Sequence, residues 1–265
     1  MIRNAGHISP EEIAKLARDS RRVYFKSKFC FLNQHNGLRP GNVHVFLGTA
    51  GSGKSTFMRS IIGDFVEQNL YNIFAWQSEE TIAELQTAFI KQGTSTSALT
   101  KLNVYSELEG DFNIEQILES VVFTDSKVLV IDNITTSKFY KGLDAQEKFL
   151  MRLKNFASAH QIAVVMVAHT KKGISDNAGS LIVADDIRET GTIVNLAQFF
   201  YILQRFEIAK TFAPTLRIVK HRGQAVDEKI YSLEYDRKTM SYVLDVQRDF
   251  ELIASLNKNR NKFGN

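Results

Sequence analysis

The sequence of 265 residues holds a single cysteine, Cys30, and three prolines. One cysteine excludes an internal disulfide and a cysteine-built zinc site, and points to a reducing, cytoplasmic setting. Long apolar runs are also missing. The longest, Ile162 to Ala168, is far too short to cross a bilayer, and Met1 to Ser20 mixes charge with short apolar steps, so neither a membrane span nor a signal peptide is expected. Strong charge of one sign is lacking too. A formal net charge of +4 and a pI near 9.0 permit contact with a polyanion without identifying one. With 44% hydrophobic and 23% charged residues the chain has the make-up of a folded protein, and its length suits one elaborated α/β domain.

Along the chain, Pro10 to Arg22 predicts a short helix with Ser9 as its cap, forming an arm over residues 1–36. The turn Gly37-Leu38-Arg39-Pro40-Gly41 then opens a core expected to run from 37 to 246. Asn42 to Leu47 reads as a buried strand, Lys54 to Gln68 as a helix, and strand and helix patterns alternate from there. The expected strands are Asn72–Trp76, Asn103–Tyr105, Val128–Asp132 and Ile162–Ala168; the expected helices are Glu80–Gln92, Ile114–Phe123 and Ala145–His160. Such alternation predicts a mostly parallel, twisted sheet with helices on both faces. Four later strand patterns, Phe199–Leu203, Leu216–Lys220, Lys229–Tyr235 and Ser241–Val246, predict an antiparallel edge, with residues 247–265 as a tail. The aromatic run Phe199-Phe200-Tyr201 is read as strand packing rather than a base-stacking platform.

Between the first strand and the first core helix stands Gly48-Thr49-Ala50-Gly51-Ser52-Gly53-Lys54-Ser55, a complete P-loop in its proper context. Glycines let backbone N–H groups turn inward around phosphates, and the following helix presents its partially positive N-terminus. Lys54 is the expected partner of the β- and γ-phosphates, and Ser55 a magnesium ligand; Thr56 completes the nucleotide-binding set. The strand Val128 to Asp132 ends in an acid, which suits the second protein ligand of that magnesium. Asn133 follows it, so the general base has to come from elsewhere. Glu79 and Glu80, after the strand Asn72–Trp76, reach the same sheet edge, and Glu79 is the favoured base.

In this order the motifs resemble the RecA-fold core of the DnaB-type hexameric replicative helicases. The Gly37–Gly41 turn matches that family's lead-in, and Glu79 stands where its catalytic glutamate stands. His169 in Ala168-His169-Thr170 resembles its γ-phosphate sensor. Asp186-Ile187-Arg188-Glu189-Thr190-Gly191 is close to the family's channel element, which implies single-strand backbone contacts by Arg188, Glu189 and Gly191, joined by Lys171 and Lys172. Lys220-His221-Arg222 resembles the family's Lys-x-Arg finger, which reaches a neighbouring subunit's nucleotide. The likeness runs from Gly37 to Val246 and includes no collar or primase domain.

The resemblance implies an ATP- and magnesium-dependent homo-oligomer, hexameric in the family, that moves along single-stranded DNA beside replication proteins. Two other outcomes stay open. One is an accessory or recombinase-like RecA-fold ATPase that binds nucleic acid without unwinding it; the other is an ATP switch acting on a protein partner.

Overall fold

Strands buried on both faces carry uninterrupted apolar runs, and here their alternate residues sort onto two helical layers. The computed structural model describes residue 11 and residues 27–34, 37–170, 182, 191–208, 211–222 and 230–248. Apart from Glu11, the expected helix at Pro10–Arg22 lies outside the described residues.

In chain order the elements are α1 (Cys30–Gln34), β1 (Val43–Gly48), α2 (Lys54–Glu67), β2 (Asn72–Gln77), α3 (Ile82–Lys91), β3 (Leu102–Ser106), α4 (Ile114–Phe123) and β4 (Ser126–Asp132). After them come α5 (Leu143–His160), β5 (Ala163–His169), α6 (Gly191–Leu196), β6 (Phe199–Ile208), β7 (Thr211–His221), β8 (Ile230–Asp236) and β9 (Ser241–Arg248). All nine strands form one sheet in the order β3-β2-β4-β5-β1-β6-β7-β8-β9. From β3 to β6 every neighbouring pair is parallel. The pairs from β6 to β9 are antiparallel. The expected parallel sheet with an antiparallel edge is therefore observed.

The two layers follow from the pleat. Phe46, Val128 and Val130 face a core shared with Phe57, Ile61 and Phe65 of α2 and Leu85 and Phe89 of α3. Val45, Leu129 and Ile131 face the opposite core, against Ile117 and Val121 of α4 and Phe149 and Leu153 of α5. Phe199, Phe200 and Tyr201 are buried to 1% exposure or less, so they pack the sheet as expected.

Residues 27–34 enter the core. Phe29 and Phe31 meet Phe57 edge-on or tilted at 5.1 and 5.8 Å, and the backbone N–H groups of Cys30 and Phe31 donate to the Asp245 carboxylate of β9. Strands β6 and β7 also run further than their apolar patterns suggest, reaching Ile208 and beginning at Thr211. Pro214 stands opposite Arg205 of β6 and falls outside the stretch Thr215–Arg217 over which β7 pairs with β8 among the described residues.

A buried aromatic stack supports the start of β6. The His44 ring lies 4.4 Å from Phe199 and parallel to it, while its Nε2 accepts from the Arg39 backbone N–H at 3.1 Å. Burial pushes the His44 imidazole down to about 3, so it stays neutral in the folded state. In the unfolded chain it protonates at its ordinary value near 6.5, and stability is consequently lost as pH falls from there toward 3. The expected slope is about 1.4 kcal/mol per pH unit from this one group. Urea midpoints measured from pH 6.5 to 4 on His44→Phe should show that much less acid sensitivity than the unaltered protein; equal slopes would remove His44 as the cause.

Candidate active site

Four neighbouring parallel strands end within two residues of one another at one edge of the sheet, and the candidate site residues stand at their C-terminal tips. Gly48 of β1 stands opposite His169 of β5, and Gln77 of β2 stands opposite Asp132 of β4. Loops leaving the tips of such strands form the usual ligand crevice of an open α/β sheet.

The loop after β1 admits only glycine at two of its positions for visible reasons. A Cβ on Gly48 would lie 2.5 Å from the Leu203 carbonyl and 2.7 Å from Ser52 Oγ. At Gly53 the backbone is left-handed, with φ of 93°, and a Cβ would lie 2.5 Å from the Tyr242 hydroxyl. Tyr242 of β9, hydrogen-bonded to Arg205, thus backs the loop, and its own N–H donates to Ser60 Oγ on α2 at 2.9 Å. Neither Arg205 nor Tyr242 was legible as part of this site, because strands far along the chain bring them there. Lys54 begins α2; its ammonium is buried and donates to the Thr49 carbonyl at 2.6 Å.

Ser55 Oγ donates to Asp132 Oδ1 at 3.2 Å, which brings the two expected magnesium ligands together. Burial, augmented by the negative charges of Glu80 and Glu79, pushes the Asp132 carboxyl up to about 6, against the Ser55 hydrogen bond and Arg59, which pull it down. A buried carboxylate with so little compensation suits a divalent cation. No cluster of three or more histidine, cysteine or acidic side chains able to hold a metal is found among the described residues. Ser55 and Asp132 are the two side chains that would hold a magnesium ion, with phosphate oxygens able to supply further ligands.

Glu79 and Glu80 lie in the loop between β2 and α3. The helix was expected from Glu80 but starts at Ile82, because Thr81 forms a capping box with Glu84 and sets the boundary there. The Glu79 carboxylate lies 3.7 Å from His169 Nε2. The His169 imidazole beside it, with Thr136 and Lys54 adding to the effect, holds the Glu79 carboxyl below the usual carboxylate range despite partial burial. Ser78 shares a short hydrogen bond with Thr136 at 2.6 Å and receives one from the Asn133 backbone N–H. The Asn133 side chain accepts from the Thr135 N–H and hydroxyl, turning the chain so that Thr136 reaches Glu79. Thr136 is not marked in the sequence, since a threonine in a loop carries no signal of its own.

The expected finger lies elsewhere. The Arg222 N–H donates to the Gln198 carbonyl, whereas the register places Gly48 level with Leu203. Those levels are five residues apart along β6, or roughly 16 Å. Arg222 is exposed, and Lys220 donates from Nζ to the Val194 carbonyl at 2.6 Å. Gly191 begins α6, while Lys171, Lys172, Arg188 and Glu189 lie outside the described residues. Beside Thr56, a cleft of about 410 Å³ opens between α2, α3 and the β8–β9 turn, with Arg59, Glu84, Tyr235 and Met240 among its walls.

Among solved structures, a KaiC-like protein from the hyperthermophilic archaeon Pyrococcus horikoshii OT3 is similar at a TM-score of 0.65, over 82% of this chain and 97% of that chain. The fold is that of the RecA-like P-loop NTPases. Sequence identity over the match is 17%, so the likeness concerns the backbone and not a particular activity. No family model and no curated protein matches the sequence. The RecA-like expectation is met at the level of fold; the narrower DnaB-type resemblance rests on the motifs alone. No helix among the described residues is long and apolar enough to cross a membrane.

Proposed function

We propose that this chain is a magnesium-dependent ATPase whose site is completed by a second copy, and that it uses turnover as a switch in an accessory role. The convergence of Lys54, Ser55, Asp132 and Glu79 at one sheet edge carries this reading. Lys54 and the loop N–H groups hold the triphosphate, and Glu79 takes a proton from the attacking water. Magnesium, when bound, neutralises charge on the phosphate oxygens. The cleft beside Thr56 has room for the nucleoside half, with Tyr235 on its wall. The exposed Arg222, too far from its own P-loop to serve it, supports a shared site, and the RecA-like fold supports self-assembly in rings or spirals.

The direct test is Lys54→Ala. Loss of a charge-assisted hydrogen bond of this kind is expected to weaken ATP binding about a hundredfold, and turnover should disappear with it. Unchanged binding of a fluorescent nucleotide by that variant would refute the phosphate cradle.

A second reading, the DnaB-type single-strand translocase, is favoured by Asp186-Ile187-Arg188-Glu189-Thr190-Gly191 with Lys171 and Lys172 nearby in sequence. A forked duplex with ATP separates the two. Strand separation establishes the translocase, whereas ATPase activity that single strands stimulate without unwinding leaves the accessory role. Turnover indifferent to single strands at low and moderate salt points to a protein partner.

A further inference from the structure

Arg59 sits one turn beyond Ser55 on α2, on the side that faces the β2–α3 loop. Its Nη1 donates to both carboxylate oxygens of Glu80, at 2.6 and 2.8 Å, and both side chains are largely shielded, at 15% and 31% exposure. The Glu80 main chain is held as well, since Ser106 Oγ donates to its carbonyl at 2.7 Å. On the other flank of Glu79, the Ser78 N–H donates to the Asp132 carbonyl at 3.0 Å, and Ser78 Oγ exchanges hydrogen bonds with Asn133. Immediately after Glu80 the Thr81 capping box starts α3, and the Ile82 N–H donates to Glu109. Glu79 is thus the one residue of this loop whose carboxylate is left to face the nucleotide edge.

We infer that Arg59 and Glu80 form a clamp that ties the P-loop helix to the β2–α3 loop and thereby aims Glu79 at the attacking water. The assignment rests on the proposed ATPase reading and adds to it two positioning residues that are not catalytic themselves. It divides the labour of two adjacent carboxylates, Glu80 being engaged by a guanidinium while Glu79 is available as base. The clamp also manages charge. Lys54, Asp132, Glu80 and His169 all act on this corner, and Arg59 offsets the Glu80 charge that would otherwise bear on Asp132. Because α2 begins at Lys54 and Ser55, the tie sets the distance between the phosphate grip and the base. A misplacement of about 1 Å there costs on the order of a hundredfold in rate.

The test is steady-state ATP hydrolysis by the full chain as Arg59→Ala, Arg59→Lys, Glu80→Gln and the exchanged pair Arg59→Glu with Glu80→Arg. Glu80→Gln, at a residue that does not line the cleft beside Thr56, should lower kcat by about 10- to 100-fold with KM and fluorescent-nucleotide affinity within about twofold of the unaltered chain, and Arg59→Ala should lower kcat at least as much. Arg59→Lys and the exchanged pair should each recover part of the loss. If Arg59→Ala does not fold cooperatively, the near-isosteric Glu80→Gln carries the test alone, by its fall in kcat at constant KM. An unchanged kcat in both single variants, or a Glu80→Gln as inactive as Glu79→Gln, overturns the assignment. Absence of nucleotide binding and turnover in the unaltered chain refutes instead the ATPase reading beneath it, so the two failures are distinguishable.

Discussion

Arg222→Ala should hydrolyse ATP about a thousandfold more slowly than the unaltered chain while binding nucleotide normally, the effect of removing an arginine that stabilises transition-state charge from a neighbouring subunit. Arg222 emerges level with Gln198, whereas the P-loop begins level with Leu203, so the guanidinium cannot reach the phosphates of its own chain. Complementation by mixing makes the test specific. Lys54→Ala lacks the phosphate grip but keeps its arginine; Arg222→Ala has the opposite defect. Where the two meet in one assembly, some sites combine an intact Lys54 with an intact Arg222, and activity should reappear on mixing two inactive preparations. Persistent inactivity in mixtures shown to co-assemble would place Arg222 outside the reaction.

Glu79→Gln should remove about a hundred- to a thousandfold of kcat and leave ATP affinity intact, as expected for loss of a general base. Here the pH dependence adds a second check. The His169 imidazole holds the Glu79 carboxyl below its usual range, so the base remains ionised at neutral pH and is lost only as pH falls through a value lower than an ordinary glutamate's. With magnesium at saturation to keep the Asp132 carboxylate ionised, turnover by the unaltered chain should therefore stay flat from neutrality into mildly acid conditions, and His169→Ala should move the acid limb upward. An acid limb unmoved by His169→Ala would show that the 3.7 Å approach of the two side chains has no bearing on the base.

Much of this site was legible because it is local. A P-loop is eight consecutive residues, and the strand before it and helix after it announce themselves by period, so Gly48 to Ser55 could be placed at a sheet edge from sequence alone. Asp132 was legible for the same reason, as the polar end of an apolar strand. The boundary at Glu80 was misplaced because acids are favourable in a first helical turn, and the competing signal, the Thr81–Glu84 capping box, lies only two residues on. Residues 27–34 lack a periodic pattern, and their burial depends on Phe57 and on the distant Asp245. The clamp of Arg59 on Glu80 joins residues 21 positions apart, and no spacing rule marks such a pair.

From composition and pattern came the alternating α/β plan, the glycine-rich loop between β1 and α2 and the acidic strand end, because each depends on contacts within a few residues or on a fixed backbone period. Assembly of the chain alone revealed that Tyr242 and Arg205 back Gly53, that Thr136 and His169 flank Glu79, and that Arg222 stands an edge away from its own P-loop. Those relations arise from strand order, and strand order is set by the collective burial of two apolar faces, a quantity that no short stretch of residues carries.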